Sequence, residues 1–176
     1  MKTIADFTAL VKLCIETAEA KYGKIGPVEI RCDVRGKTAG YAGWKTNRWT
    51  GENSNFVLRF NREAIAKHWD EMVQVTIPHE VAHLVCAAHP ELGGRDHNWK
   101  WAQIDRSLGG NGERCHNMEL TPGRKTSRYV YKDSLGREMT VGPKHHAALQ
   151  RGKYGLLRNR KTGATITRGD YLRPAA

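Results

Sequence analysis

The 176-residue chain contains no C-x-x-C pair. Its four cysteines, Cys14, Cys32, Cys86 and Cys115, are widely scattered, which excludes a disulfide framework or a cysteine zinc knuckle as its organising device. They read as reduced, small apolar side chains. Long apolar runs are also missing, the longest falling far short of the roughly 20 residues of a membrane span. The start, Met1 to Phe7, lacks a signal peptide's apolar block, so a cytoplasmic protein without membrane association is expected. No internal repeat or low-complexity tract occurs. Hydrophobic residues at 39% and charged residues at 27% exclude disorder throughout and can supply a core unaided.

Acidic residues are scarce in the last third. Residues 1–120 carry 16 Lys and Arg against 15 Asp and Glu, whereas residues 121–176 carry 13 against 3, so the formal charge of +11 lies almost wholly in the second segment. The cluster Thr121-Pro122-Gly123-Arg124-Lys125-Thr126-Ser127 is the kind of stretch that punctuates domains. Two domains are expected, 1–120 and 121–176. In the second, Tyr129 to Tyr131, Met139 to Val141, Tyr154 to Leu157 and Ala164 to Thr167 are short β-favouring runs between Gly-containing turns, which predicts a small antiparallel sheet. Arg124, Lys125, Arg128, Lys144, Arg151, Lys153, Arg158, Arg160 and Lys161 are its candidate phosphate contacts. Tyr129, Tyr131, Tyr154 and Tyr171 are candidate stacking rings, a combination suited to salt-sensitive, sequence-tolerant nucleic-acid binding. Trp44 and Trp49, near Lys45 and Arg48, offer a further surface of this kind, with core or rim packing as the alternative.

In the first segment, Phe7, Leu10, Val11, Cys14, Ala18 and Tyr22 recur at helical spacing, predicting a helix over 6–22 with Asp6 as cap, lying across a sheet. Strands are expected at Val28 to Val34, Ala39 to Trp44 and Phe56 to Asn61, the first two joined by a hairpin-like turn at Arg35-Gly36-Lys37. Residues 63–77 read as a helix interrupted or kinked at Pro78, where the backbone N–H is lost.

His79-Glu80-Val81-Ala82-His83 fits H-E-x-x-H, in which two imidazoles about 40° apart on one helical face can share a metal ion. Val81, Leu84 and Val85 form the opposite, apolar face. A catalytic zinc keeps three protein ligands and one open position, so a third donor is needed downstream. His89 has the spacing of one known arrangement, but that requires glycine where Cys86 stands, and a continuing helix turns His89 about 240° away from His83. His97 is better placed. It follows Gly93-Gly94 and opens a helix in which Trp101, Ile104 and Leu108 share a face.

These segments together resemble the SprT-like family, the zinc metallopeptidase relatives of the Spartan DNA–protein crosslink protease. Arg35 to Ala42 resembles the family's glycine-containing hairpin, Leu58 to Asn61 the strand before its first active-site helix, and Pro78 to His83 its active-site motif. His97 to Trp101 resembles the segment with the third histidine and a tryptophan, and Glu113 to His116 with Glu119 the polar stretch beyond. The likeness covers about residues 5–120. It implies an α+β fold with a small zincin-like domain: an N-terminal helix, a three-stranded sheet, an active-site helix and a third-ligand helix. It also implies one Zn2+ ion on His79, His83 and His97, with Glu80 as catalytic base. Many bacterial relatives end in a zinc ribbon. Here its expected cysteine knuckles hold Tyr131 to Asp133 and Leu156 to Asn159, so a basic β-rich module is expected to stand without its own zinc, unless His145 and His146 recruit one.

The resulting expectation is peptide hydrolysis, with a protein substrate and with single-stranded or damaged DNA as the tether. His116 or Tyr129 are candidates for stabilising the oxyanion, and Phe56 to Asn61 for offering an edge to an extended substrate. Two alternatives stand beside it. One is a nucleic-acid-binding protein with a purely structural zinc, which would have no use for a carboxylate at position 80; the other is a general peptidase whose basic tail binds an acidic protein.

Overall fold

The structure, a computed structural model, describes residues 2–114, 118–122 and 127–175. It divides into two compact units, residues 1–123 and 124–176. Both mix helix and sheet.

The first unit opens with α1 (Ile4–Tyr22), whose N-terminus is closed by Thr3 and Asp6 in a reciprocal capping box, so Asp6 supports the cap and Thr3 supplies it. Strands β1 (Val28–Val34), β2 (Gly40–Thr46) and β3 (Asn53–Asn61) follow. Their spatial order is β1-β3-β2, with β1 parallel to β3 and β2 antiparallel to it. Two expectations are corrected here. Arg35-Gly36-Lys37 does not close a hairpin, because the chain leaves β1 on one edge and re-enters as β2 on the other. Phe56 to Asn61 belongs to the central strand, paired on both sides, so the sheet's free edges are β1 and β2.

After β3 come α2 (Arg62–Lys67) and α3 (Trp69–Glu71), then a π-helical turn over Met72–Thr76, then α4 (Ile77–Ala88). The helical run breaks at His68, and beside Pro78 a new helix starts as expected, joined without a gap to the π turn before it. In the π turn the Ile77 N–H reaches back five residues to the Met72 carbonyl. That widened turn gives the ring of Pro78 room, since a proline otherwise collides with the carbonyl four residues before it. A short 3₁₀ turn (Pro90–Leu92) leads to α5 (Trp99–Ser107). Phe7 and Val11 of α1, Leu58 and Phe60 of β3, and Val81, Leu84 and Val85 of α4 share one core.

The second unit contains β4 (Tyr129–Lys132), β5 (Glu138–Val141), α6 (Pro143–Gln150), β6 (Leu157–Arg158), β7 (Thr165–Ile166) and β8 (Tyr171–Pro174). Strands β5-β4-β8 form one antiparallel sheet and β6-β7 another. At the two places where the resemblance would put cysteine knuckles, polar side chains organise the turns. Asp133 accepts from the N–H groups of Leu135 and Arg137, and Asn159 Oδ1 accepts from those of Lys161 and Thr162. Helix α6 and strand β8 had no counterpart in the expected module. Among the described residues no helix is long and apolar enough to cross a membrane.

Candidate metal centre

Helix α4 carries His79 and His83 one turn apart, as their spacing requires, and His97 meets them from the loop before α5. His97 does not open that helix, contrary to expectation: it lies just ahead of Asn98, whose side chain caps α5 by accepting from the Trp101 N–H. The three Nε2 atoms form a triangle with edges of 3.1, 3.2 and 3.3 Å. An imidazole Nε2 holds either one proton or one lone pair, so no choice of tautomers lets all three contacts be hydrogen bonds. A cation satisfies three lone pairs at once. Ligand nitrogens around a tetrahedral zinc stand about 3.3–3.4 Å apart, close to the edges seen here. The three histidines are a group that could hold a metal ion, and no other such group occurs among the described residues.

Trp101 forms the floor of this group. Its fully buried ring lies 4.7, 5.2 and 4.6 Å from the ring centroids of His79, His83 and His97, stacked on His83 and edge-on to the other two. The helical stripe in the sequence marked Trp101 as a core residue, but its contact with all three imidazoles required the fold. Burial, followed by His79 and His97 as neighbours, pushes His83 down to about 3, and burial and Arg114 lower His97. Both favour the neutral rings a metal needs.

Glu80, 7% exposed, lines the same cleft, a space of about 1020 Å³ bordered by β2, α4 and the loop carrying His97. Burial raises its carboxyl to about 8, opposed by the backbone N–H of Ala42 in β2. Gly40 makes this approach possible. A Cβ there would stand 2.7 Å from Glu80 Oε1, 2.8 Å from its Cγ and 2.9 Å from Thr76 Cγ2. His89 lies apart: it ends α4, its ring sits against Gly23, and its Nδ1 faces Glu91 at 3.3 Å. Cys86 fills the space beside Gly94, where a side chain would collide with its sulfur.

Of the candidate phosphate contacts, Arg128, Lys144, Arg151, Lys153, Arg158, Arg160 and Lys161 are all exposed. Arg124 and Lys125 lie outside the described residues, as do Cys115 and His116. The three acids of this unit are engaged elsewhere: Asp133 with Arg137, Glu138 with Arg173, and Asp170 with Thr167. The seven described cations therefore have no acidic partner among the described residues. Of the four tyrosines expected to stack, Tyr131 has no free face and the other three are partly exposed. Tyr131 is fully buried, and Tyr129, Tyr154 and Tyr171 pack against the same small core. Tyr129 is already stacked on His146 at 3.6 Å, and the hydroxyl of Tyr131 meets His146 Nδ1 at 2.8 Å. His145 and His146 join no metal-binding group among the described residues.

Fold and site thus define a mixed α+β protein with a three-histidine group able to hold a metal ion. The chain belongs to the SprT-like family, whose family model matches residues 11–121. The protein named SprT from Pseudomonas aeruginosa is 29% identical over 171 residues, covering 94% of this chain and 96% of the relative. Proteins of the same name from Pseudomonas putida are 31% identical over 160 residues, covering 86% and 89%, and 34% identical over 128 residues, covering 69% and 70%. No solved structure matches the chain.

Proposed function

We propose that the chain is a zinc-dependent endopeptidase acting on proteins associated with DNA, with residues 124–176 attaching it to the nucleic acid. The observation that carries this reading is the convergence of His79, His83 and His97 in one cleft with the buried carboxyl of Glu80. Zinc held by the three imidazoles would polarise a scissile carbonyl and acidify water. Glu80 is the proton carrier: its carboxylate oxygen takes a proton from the attacking water and returns it to the departing amine. A cation held by the three imidazoles would draw this group back from about 8 toward the carboxylate it needs to be as a base. The edge of β2 borders the cleft and can align an extended chain through its backbone, which gives weak sequence selectivity.

The seven exposed cations without acidic partners support DNA attachment, because phosphates are the strong polyanion they fit. The test incubates zinc-loaded protein and a DNA-binding protein substrate, with and without single-stranded DNA. Cleavage should be stimulated by DNA, vanish in Glu80→Gln at unchanged zinc content, and lose its DNA stimulation when Arg158, Arg160 and Lys161 become Ala. Cleavage indifferent to DNA would support a general peptidase instead. Absence of cleavage under every condition would support a structural metal site in a nucleic-acid-binding protein.

A further inference from the structure

Among the described residues the exposed tyrosine and tryptophan rings all lie in the first unit: Tyr41, Trp44, Trp49 and Trp99. Two of them share the β2–β3 hairpin. Trp44 is 41% exposed and lines the cleft at the end of β2, while Trp49 at the tip is 97% exposed. The tip is tightly built. Asn47 Oδ1 accepts from the N–H groups of Trp49 and Thr50, Asn47 N–H donates to the Glu52 carbonyl, and Gly51 N–H donates to that of Asn47. Gly51 takes a left-handed φ of 76°, which closes the turn without steric cost. A bulge beside Trp44, with Asn55 at φ 54°, changes the pairing register and re-aims this end of the hairpin. The hairpin thus holds an indole in water on a hydrogen-bonded turn. Lys45 and Arg48 flank it, both exposed and neither paired with an acid among the described residues, while Glu52 accepts from the Thr50 hydroxyl.

We infer that this hairpin is a stacking site for single-stranded nucleic acid, in which Trp49 and Trp44 take unpaired bases and Lys45 and Arg48 take the adjoining phosphates. Exposed indoles interleaved with cations are the combination that binds single strands with little sequence preference. A duplex hides its base faces and cannot use the indoles. The inference rests on the nucleic-acid association proposed above, and adds a contact in the unit that carries the histidines. A strand held there would lie beside the mouth of the cleft, because Trp44 belongs to both.

All five tryptophans precede residue 102, so tryptophan emission arises wholly from the first unit. The experiment titrates the full chain with an oligothymidylate of about 12 nucleotides, following emission with the plain oligomer and anisotropy with a labelled one. Saturation should quench the emission, and Trp49→Leu should remove most of that quench and weaken binding roughly 5- to 100-fold. Trp49→Phe should retain most of the affinity, and binding to a duplex of equal length should change by less than about twofold in either variant. Full anisotropy without quenching, or wild-type affinity in Trp49→Leu, would overturn the inference while leaving attachment through the basic unit intact. No binding by either probe would overturn both.

Discussion

Replacing Gly40 by alanine tests whether the position of the Glu80 carboxylate is set by strand β2. The added Cβ would stand 2.7–2.9 Å from Glu80 Oε1, Glu80 Cγ and Thr76 Cγ2. Ordinary contact begins near 3.4 Å, so something must yield by about 0.5–0.7 Å. Strand β2 has little freedom to do so, because Gly40 and Ala42 are in register with Phe60 and Leu58 of the central strand. Thr76 and Glu80 are both buried, and of the two the longer Glu80 side chain, which lines the cleft, has more room to yield. The carboxylate must therefore move off its place beside the Ala42 N–H. A misplacement of about 1 Å at a reacting group can cost about a hundredfold, so kcat should fall roughly tenfold or more, with little change in KM. Overpacking should also cost about 1–3 kcal/mol of stability. The assay is cleavage of the DNA-binding protein substrate, read beside zinc content and melting temperature. Zinc should stay at one ion per chain. A Gly40→Ala protein with wild-type kcat and an unchanged melting temperature would refute the reasoning, and so would one whose lost activity is fully explained by lost zinc.

Two other residues yield independent predictions. Trp101→Leu removes the floor shared by the three imidazoles and should weaken zinc binding about 10- to 100-fold, measured by competition with a chromogenic chelator, while destabilising the first unit by about 2–4 kcal/mol. Glu63 is held down to about 2 by its hydrogen bonds with Lys67 and Thr121, and so fastens the end of the first unit to α2. A depressed carboxyl stabilises above its ordinary value of 4.5 and loses that contribution as pH falls toward about 2. The melting temperature of Glu63→Gln should therefore lie below wild type at neutral pH, and the gap should close progressively below pH about 4.5.

What could be read in advance was whatever the chain encodes locally. His79 and His83 share a face through helical periodicity alone, and Val81, Leu84 and Val85 bury the opposite face for the same reason. His97 could be found because a three-ligand site needs a donor from outside that helix. Strand order was not legible. Arg35-Gly36-Lys37 looks the same whether it closes a hairpin or begins a passage past an intervening strand, and the pairing of β1 with β3 is a long-range choice. The burial of Tyr131 was not legible for a related reason: aromatic residues favour strands without recording whether the ring faces water or the core. Helix α6 is short and begins Pro143-Lys144-His145-His146, so it carries too little apolar periodicity to announce itself. Gly40 could be seen as a glycine, but its reason, the carboxylate of a residue forty positions away, belongs to the folded chain.

The turns at Asp133 and Asn159 have a consequence for how the two units share their fates. Each is organised by one side-chain oxygen that gathers two backbone N–H groups, and residues 124–176 contain no cysteine. A turn made this way has no thiolate to oxidise and no ion to surrender. A chelator that would strip a metal from the histidines therefore has no equivalent target among the described residues of the basic unit. Under the proposed function, metal depletion would yield a protein still seated on nucleic acid but unable to cut, occupying the site it would otherwise clear.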